Sequence, residues 1–396
     1  MTMYSMRNMH RLNMNRYNGD RLRLARLYNG YTIDELAKKV GITAQAESQY
    51  EIGKIVPQFD KMLSLSEVLN FPVQYFLKGE DLGIVSGSSY FRSLMKTPKK
   101  YRTEQKTKVE FLAKLYSVLD DYVEFPKLNL PNEVEEYETP QEAADYLRRY
   151  WNLSDKPITN MLRLLEAQGI IVTSFETHTP DIDAFSQFFK SSEKSFYIVA
   201  YSNNKNSAAR INFDLAHELG HIMLHTWSDD IENITREEFK AKEKAANDFA
   251  AAFLMPADSF SNDIRFYSSE IQYYIELKKK WHVSIAAMLH RACELTMISQ
   301  NQYQNAMRNM NAKKIRINEP LDNILEIPYP RILKDSVDLL ITNEVFTKRS
   351  LLEEFADAGL PMNANEVEKL LALGKGYFNE LEEKNDFSPV VLRLNK

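Results

Sequence analysis

Two histidines four residues apart, with a glutamate directly after the first, are the residues of this sequence best suited to chemistry. They lie in His217-Glu218-Leu219-Gly220-His221. On a helix this spacing places both imidazoles on one face, about 6 Å apart along the axis, so both can bind one Zn²⁺ ion. Glu218 lies beside the metal without binding it and can accept a proton from an activated water. The pattern therefore indicates metal-assisted hydrolysis, with His217 and His221 as ligands and Glu218 as general base.

A catalytic zinc site of this type uses three protein ligands, so a third must be found. His225 lies eight residues after His217, about 12 Å along a helix, which is too far to share the ion. Glu243 is the better candidate, because it begins an apparent helix antiparallel to the first. That layout is the gluzincin arrangement, which leaves one metal position open for water. Three acidic residues between the helices are alternatives by spacing alone: Glu232, Glu237 and Glu238.

An α+β arrangement must position the helix that carries the histidines. Apolar spacing predicts two amphipathic helices before it, the second ending at Gly169. Strands are predicted at residues 170–175 and 196–201, and the histidine helix itself at roughly 208–225. Beyond residue 257 we predict helices, with irregular stretches around Glu319 and Pro328.

The N-terminal part carries a second set of patterned residues. Apolar spacing predicts a helix over residues 32–40, with a capping-box pattern beginning at Thr32. Gly41 ends that helix, and a short polar helix follows over residues 43–52. A further amphipathic helix over residues 58–70 completes a small all-helical core.

The polar helix and its Glu51-Ile52-Gly53-Lys54 ending resemble the lambda-type phage repressors and the wider Xre family. In such domains the second helix of the motif enters the major groove of DNA. The resemblance implies base contacts by three polar side chains: Gln45, Ser48 and Gln49. Four basic side chains are candidate phosphate contacts, which add affinity more than sequence information: Arg21, Arg23, Arg26 and Lys54.

Glu47 departs from the family pattern, which has an aliphatic residue there to pack the recognition helix against the core. A glutamate at this position can loosen the domain or repel phosphate. The alternative interpretation is a helical protein-docking module that has lost DNA binding. We favour double-stranded DNA as the partner of this segment.

A wider resemblance covers most of the remaining chain. Residues 210–225, followed by 243–256, resemble the ImmA/IrrE metallopeptidases. Some members of that family are fused to an Xre head, and their pattern is also similar to residues 157–170, residues 277–284 and Arg291 of this chain. The resemblance implies zinc ligation by His217, His221 and Glu243, with Glu218 as general base. It also implies cleavage of a helix-turn-helix repressor in a mobile-element or stress response.

Composition limits the other possibilities. Cys293 is the only cysteine, which excludes an intramolecular disulfide and a cysteine-rich zinc site and favours a cytoplasmic location. No run of about 18 apolar residues is present, so we expect no membrane association. The net charge of -5 divides into +3 on residues 1–80 and -8 on the remainder. That asymmetry is typical of a DNA-binding head on a body that does not bind DNA.

The predicted fold class is mainly α with a small β component, α+β. We expect five segments: a flexible extension (1–16), a lambda-repressor-like helix-turn-helix domain (17–80), a linker and connector helix (81–138), a gluzincin-like metallopeptidase domain (139–300) and a C-terminal helical region for sensing or dimerisation (301–396). A homodimer is expected to bind operator DNA.

The leading functional hypothesis is a regulator that binds DNA and cleaves a repressor, or itself, with zinc as cofactor. The alternative is a transcription factor whose metallopeptidase-like domain senses a ligand, metal or partner without proteolysis. The intact Glu218 favours the first, because a structural zinc site needs no base. The residue that would stabilise an oxyanion stays open between His290, Arg291 and several tyrosines.

Overall fold

The structure is a computed structural model, and the residues described are 17–77, 84–91, 98–131, 137–175, 183–191, 194–204, 206–225, 234–268 and 270–379. They form two compact units. The first combines described residues within Met1–Leu82, Lys114–Val123 and Leu333–Lys396, and the second those within Gly83–Ala113 and Glu124–Ile332. The predicted extension, 1–16, lies outside the described residues, and the five-segment division stays a prediction.

The first unit begins with four short helices and a 3-10 helix: α1 (Gly19–Tyr28), α2 (Ile33–Val40), α3 (Ala44–Glu51), α4 (Phe59–Leu69) and the 3-10 helix Val73–Phe76. Thr32 and Glu35 form the capping box predicted for α2. Gly41 ends α2 in the left-handed conformation, with φ of 71°. The Thr43 side chain then caps the start of α3. The predicted helix, tight turn and polar helix are confirmed.

Three C-terminal helices complete the first unit: α14 (Ile332–Thr342), α15 (Lys348–Asp357) and α16 (Ala364–Leu370). The Tyr28 hydroxyl of α1 donates to Glu366 of α16 at 2.9 Å. The Asn363 amide donates to the Asn70 side chain, at the end of α4, at 2.8 Å. The helical bundle predicted beyond residue 330 therefore packs against the helix-turn-helix segment.

A four-stranded mixed sheet forms one layer of the second unit, in the order β1-β3-β4-β2. Its strands are β1 (Val85–Phe91), β2 (Ile171–Phe175), β3 (Ala184–Lys190) and β4 (Ser195–Ser202). β3 pairs antiparallel with both β1 and β4, and β2 pairs parallel with β4. The sequence pattern predicted β2 and β4 but missed the other two strands. β1 was missed because its glycine and serines have low strand propensity.

Helices make up the rest of the second unit: α5 (Lys99–Asp120, up to Ala113), α6 (Pro140–Tyr150), α7 (Met161–Ala167), α8 (Ala208–Leu224), α9 (Arg236–Leu254), α10 (Ala257–Ile264), α11 (Ile271–Trp281), α12 (Ile285–Glu294) and α13 (Gln300–Ala312). Their shared core includes Leu215 and Leu219 of α8, Phe249 and Phe253 of α9, and Trp281. The predicted mainly helical α+β class is confirmed. Within the described part of the chain, no helix is long and apolar enough to cross a membrane.

Candidate metal centre

The candidate centre is built where α8 and α9 pack side by side. Gly220, between the two histidines, makes this close approach possible. A Cβ atom added there would lie 3.0 Å from the Ala246 carbonyl oxygen of α9 and 3.1 Å from the Ala246 Cα atom. Any larger residue would push the helices apart. Gly220 therefore controls how near α9 can bring its side chains to His217 and His221.

The three residues predicted as metal ligands lie together. The Nε2 atoms of His217 and His221 are 3.0 Å apart. Glu243 Oε1 lies 3.2 Å from His221 Nε2, and Glu243 Oε2 lies 3.6 Å from His217 Nε2. Among the described residues, these three form a group that can hold a metal ion, with one donor atom from each within 4.8 Å of the others.

The electrostatics of the cluster suit a cation. Burial lowers the pKa of His221 to about 4, so its imidazole is neutral at pH 7 and has a lone pair to donate. Burial alone would raise the pKa of Glu243, but the adjacent imidazoles of His217 and His221 outweigh it and lower that pKa to about 2. Two ring nitrogens 3.0 Å apart repel each other unless a proton or a metal ion lies between them. The donor set therefore fits a divalent metal.

Glu218 is fully buried on α8. The Ser186 hydroxyl of β3, itself fully buried, donates a hydrogen bond of 2.7 Å to Glu218 Oε2. A hydroxyl that donates to a carboxylate orients it and stabilises its charged form. Sequence reasoning missed Ser186, because it missed β3. The aromatic residues at positions 185, 188 and 189 are the strand signal that could have found it.

Glu237 and Glu238, two of the competing ligands, are not part of the cluster. Glu237 and Glu238 are exposed in the first turn of α9, where Glu238 completes a capping box with Thr235. Glu232 lies outside the described residues. His225 ends α8 with its ring centroid 5.3 Å from that of His221. The structure thus places Glu243, rather than Glu237 or Glu238, beside the histidines.

The two named candidates for oxyanion stabilisation have other contacts. The Arg291 guanidinium is buried and donates to the Met255 carbonyl at 3.2 Å and to the Gln141 side chain. His290 lies 3.3 Å from Glu294, with about half of its side chain exposed. Arg291 therefore ties together the segments that pack around α9.

The predicted base-contacting residues lie on α3 of the first unit. Gln45 is exposed, and Ser48 and Gln49 are half-buried, as the outer face of a docking helix would be. Lys54 is exposed just after this helix. The structure therefore brings these four residues to one short segment with accessible side chains.

The three predicted arginine contacts differ from one another. Arg23 is exposed. Arg21 donates to the Tyr75 carbonyl at 3.1 Å and to the Gly359 carbonyl at 2.7 Å. Arg26 is buried and forms a two-pronged ion pair with Glu51. Arg26 is therefore not among the accessible basic groups, because its guanidinium is paired with the buried Glu51 carboxylate.

Comparison with known families identifies both parts. Residues 19–82 match a helix-turn-helix domain family, and residues 165–293 match the M78 peptidase family, described as the IrrE N-terminal-like domain. The chain thus carries an Xre-type helix-turn-helix domain followed by an IrrE-like, metallopeptidase-like domain. The predicted combination is confirmed.

Two relatives match over 61 residues of the chain each. The chain is 38% identical over 61 residues to the SPbeta prophage-derived HTH-type transcriptional regulator YonR of Bacillus subtilis, which is 15% of this chain and 56% of that protein. It is 33% identical over 61 residues to the HTH-type transcriptional regulator YqaE of the same organism, 15% of this chain and 53% of that protein. The chain spans about half the length of these curated relatives.

Proposed function

We propose that this chain is a DNA-binding transcriptional regulator whose IrrE-like domain is a zinc-dependent endopeptidase. One observation carries the proposal: donor atoms of His217, His221 and Glu243 lie within 4.8 Å of one another. Glu218 directly follows His217 in the chain and is not one of these donors. Two imidazoles and one carboxylate are a ligand set of catalytic zinc, which keeps a coordination position open. A structural zinc site would need no such base.

Zinc held by these residues would polarise the peptide carbonyl and lower the pKa of water to about 7. Glu218 takes the proton from the attacking water while Ser186 holds its Oε2 atom in place. Glu218 then passes that proton to the leaving amine nitrogen as the C–N bond breaks. Burial of Glu218 excludes bulk water, which strengthens each of these electrostatic contacts.

The DNA-binding part of the proposal rests on the helix-turn-helix family match and on the accessibility of α3. Gln45, Ser48 and Gln49 contact base edges in the major groove, and Lys54 and Arg23 contact phosphates. Arg21 and Arg26 support the domain through their internal contacts instead. The operator complex is proposed to be a homodimer on an inverted repeat, in the cytoplasm.

The proposed substrate is a helix-turn-helix repressor, or this chain itself, cleaved to relieve repression. Support comes from the resemblance to ImmA/IrrE proteins and from the prophage origin in the name of one relative. A mobile-element or stress response is the setting in which such cleavage would act.

Glu218→Gln tests the proposal, because it keeps the side-chain shape and removes the base. We expect the zinc-loaded variant to cleave candidate repressors at least about 100-fold more slowly than the parent, within the usual range for loss of a general base. Zinc content and operator affinity should be unchanged. Defined fragments on gels, metal analysis and DNA-binding titrations measure the three quantities, and Glu237→Gln, at an exposed position of α9, is the control.

Equal cleavage by the parent and Glu218→Gln would overturn the peptidase mechanism. If the variant also relieves repression in cells as the parent does, the alternative function is the correct one. In that case the domain senses a ligand, metal or partner, and the chain regulates transcription without proteolysis.

A further inference from the structure

The first unit is assembled from both ends of the described chain. The helix-turn-helix segment comes from its part within Met1–Leu82, and the helices α14, α15 and α16 come from its part within Leu333–Lys396. Most of the residues between these parts belong to the second unit. The metallopeptidase-like domain is therefore an insertion within the unit that carries the proposed DNA-reading helix.

Glu366 of α16 joins the two parts of this unit. It is buried, and its two carboxylate oxygens accept hydrogen bonds from the helix-turn-helix segment. Tyr28 Oη of α1 donates to Oε2 at 2.9 Å, and Asn70 Nδ2, at the end of α4, donates to Oε1 at 2.9 Å. Removal of a buried acceptor leaves its donors unsatisfied, which costs more than an ordinary hydrogen bond contributes. Glu366 is therefore a specific link between the C-terminal helices and the helix-turn-helix segment.

Two further contacts involve the same parts of the helix-turn-helix segment. The Asn363 amide, directly before α16, donates to the Asn70 backbone carbonyl at 3.0 Å. Carbonyl groups at the end of a helix lack partners within the helix, so this amide satisfies one of them. The Arg21 guanidinium of α1 donates to the Gly359 carbonyl at 2.7 Å. The C-terminal part of the chain thus supplies hydrogen-bond partners to α1 and to the end of α4.

These contacts leave α3 accessible. With α14, α15 and α16 in place, Gln45 is exposed, and Ser48 and Gln49 are half-buried. Lys54, just after α3, is exposed as well. An autoinhibitory partner would cover these side chains, because they are the proposed contacts with DNA. The C-terminal helices therefore have the geometry of a support for the helix-turn-helix segment.

We propose that α14, α15 and α16 are the second half of the DNA-binding unit, and that they hold the helix-turn-helix segment even when the chain is cut between Leu82 and Gly83. The C-terminal region then has a supporting role in place of the expected sensing or dimerisation. One consequence rests on the proposed function. A self-cut at this boundary would leave the DNA-binding unit assembled, which favours a separate repressor chain as the substrate.

A cleavable version of the full chain tests the proposal. The recognition sequence of a site-specific protease is inserted between Leu82 and Gly83 of the Glu218→Gln chain and cut to completion. We expect the labelled N-terminal fragment to stay bound to the remainder in size-exclusion chromatography at micromolar concentration. Adding Glu366→Ala should raise the Kd of the fragment at least about tenfold, because two donors lose their acceptor. Glu353→Ala, at an exposed position of α15, is the matched control.

Tyr28→Phe decides the outcome if Glu366→Ala unfolds in thermal melting. It keeps the buried ring and removes only the hydroxyl that donates to Glu366, so we expect the Kd of the fragment to rise about tenfold. Release of the fragment from the cut Glu218→Gln chain, or an unchanged Kd in a folded variant, would contradict the proposal. The failure of the proposed function gives a different result. Retention of the fragment, with no cleavage of candidate repressors by the zinc-loaded parent, would preserve the split DNA-binding unit and reject the peptidase.

Discussion

Glu47 in the first unit and Glu218 in the second are both fully buried on helices, but their surroundings differ. Glu218 accepts a hydrogen bond from Ser186. Neither carboxylate oxygen of Glu47 has a hydrogen-bond partner among the described residues. The nearby charges, Arg26 and Glu51, pair with each other. One buried acid is therefore supported by its surroundings and the other is not.

The lack of a hydrogen-bond donor has a consequence for the charge of Glu47. Burial and the Glu51 carboxylate raise the pKa of Glu47 to about 7, against the attraction of Arg26. A buried carboxylate without donors is costly when charged, so it keeps its proton near neutral pH. The Ser186 donor instead favours a charged Glu218, which is the form a general base requires. A buried carboxylic acid therefore needs a hydrogen-bond donor beside it if it is to act as a general base.

The largest expected effect concerns the ligand cluster beside Glu218. Glu243→Ala removes one of three protein donors, and we expect zinc affinity to fall by more than about 100-fold, since even outer residues can change it 10–100-fold. Metal analysis after dialysis measures the loss. Glu237→Ala, at an exposed position of the same helix, should keep its zinc. Undiminished zinc in Glu243→Ala would exclude Glu243 as a ligand.

The next effect concerns Glu47 and depends on pH. The folded state binds the Glu47 proton more tightly than the unfolded chain does. The contribution of this proton to the free energy of unfolding is therefore complete below about pH 4.5 and is lost as pH rises through about 7. A shift of that size corresponds to roughly 3 kcal/mol at most. Glu47→Gln should therefore raise the free energy of unfolding at pH 8 and leave it nearly unchanged at pH 4.5.

Thermal melting of the parent and Glu47→Gln at both pH values measures this difference. Glu67→Gln, an exposed glutamate on α4, is the control and should be neutral at both. An equal effect of Glu47→Gln at pH 4.5 and pH 8 would show that Glu47 stays charged, which would remove the contrast with Glu218.

A smaller effect is expected at Ser186, which positions Glu218. Ser186→Ala removes the hydroxyl that donates to Glu218. We expect kcat for repressor cleavage to fall about 10-fold with KM nearly constant, because an orienting hydrogen bond is lost. Ser186→Thr should restore most of the rate, because it keeps the donor. Ser195→Ala at the start of β4 is the control. A loss in both Ser186 variants would indicate packing rather than positioning.

Local patterns predicted the metal cluster because its key residues share helical spacing. His217 and His221 lie one turn apart, and Glu243 begins the next apolar pattern. Ser186 and β1 depend on strand pairing between distant segments, which no local period reports. Arg26 was expected to contact phosphate because charge is visible in a sequence, whereas its burial against Glu51 is not.

The smallest expected effect lies on the accessible face of the same helix that buries Glu47. Gln49 can read a base edge, so Gln49→Ala should reduce discrimination between operator and random DNA by about tenfold, the lower range for one polar base contact. The dependence of affinity on salt should stay unchanged, because no phosphate contact is lost. Lys54→Ala is the contrasting control and should weaken all sequences alike, with a shallower salt dependence. Titrations of both variants at several salt concentrations separate these effects. If the parent binds random and genomic upstream DNA equally, α3 does not read sequence, and the unsupported Glu47 then marks a helix that has lost its DNA-binding role.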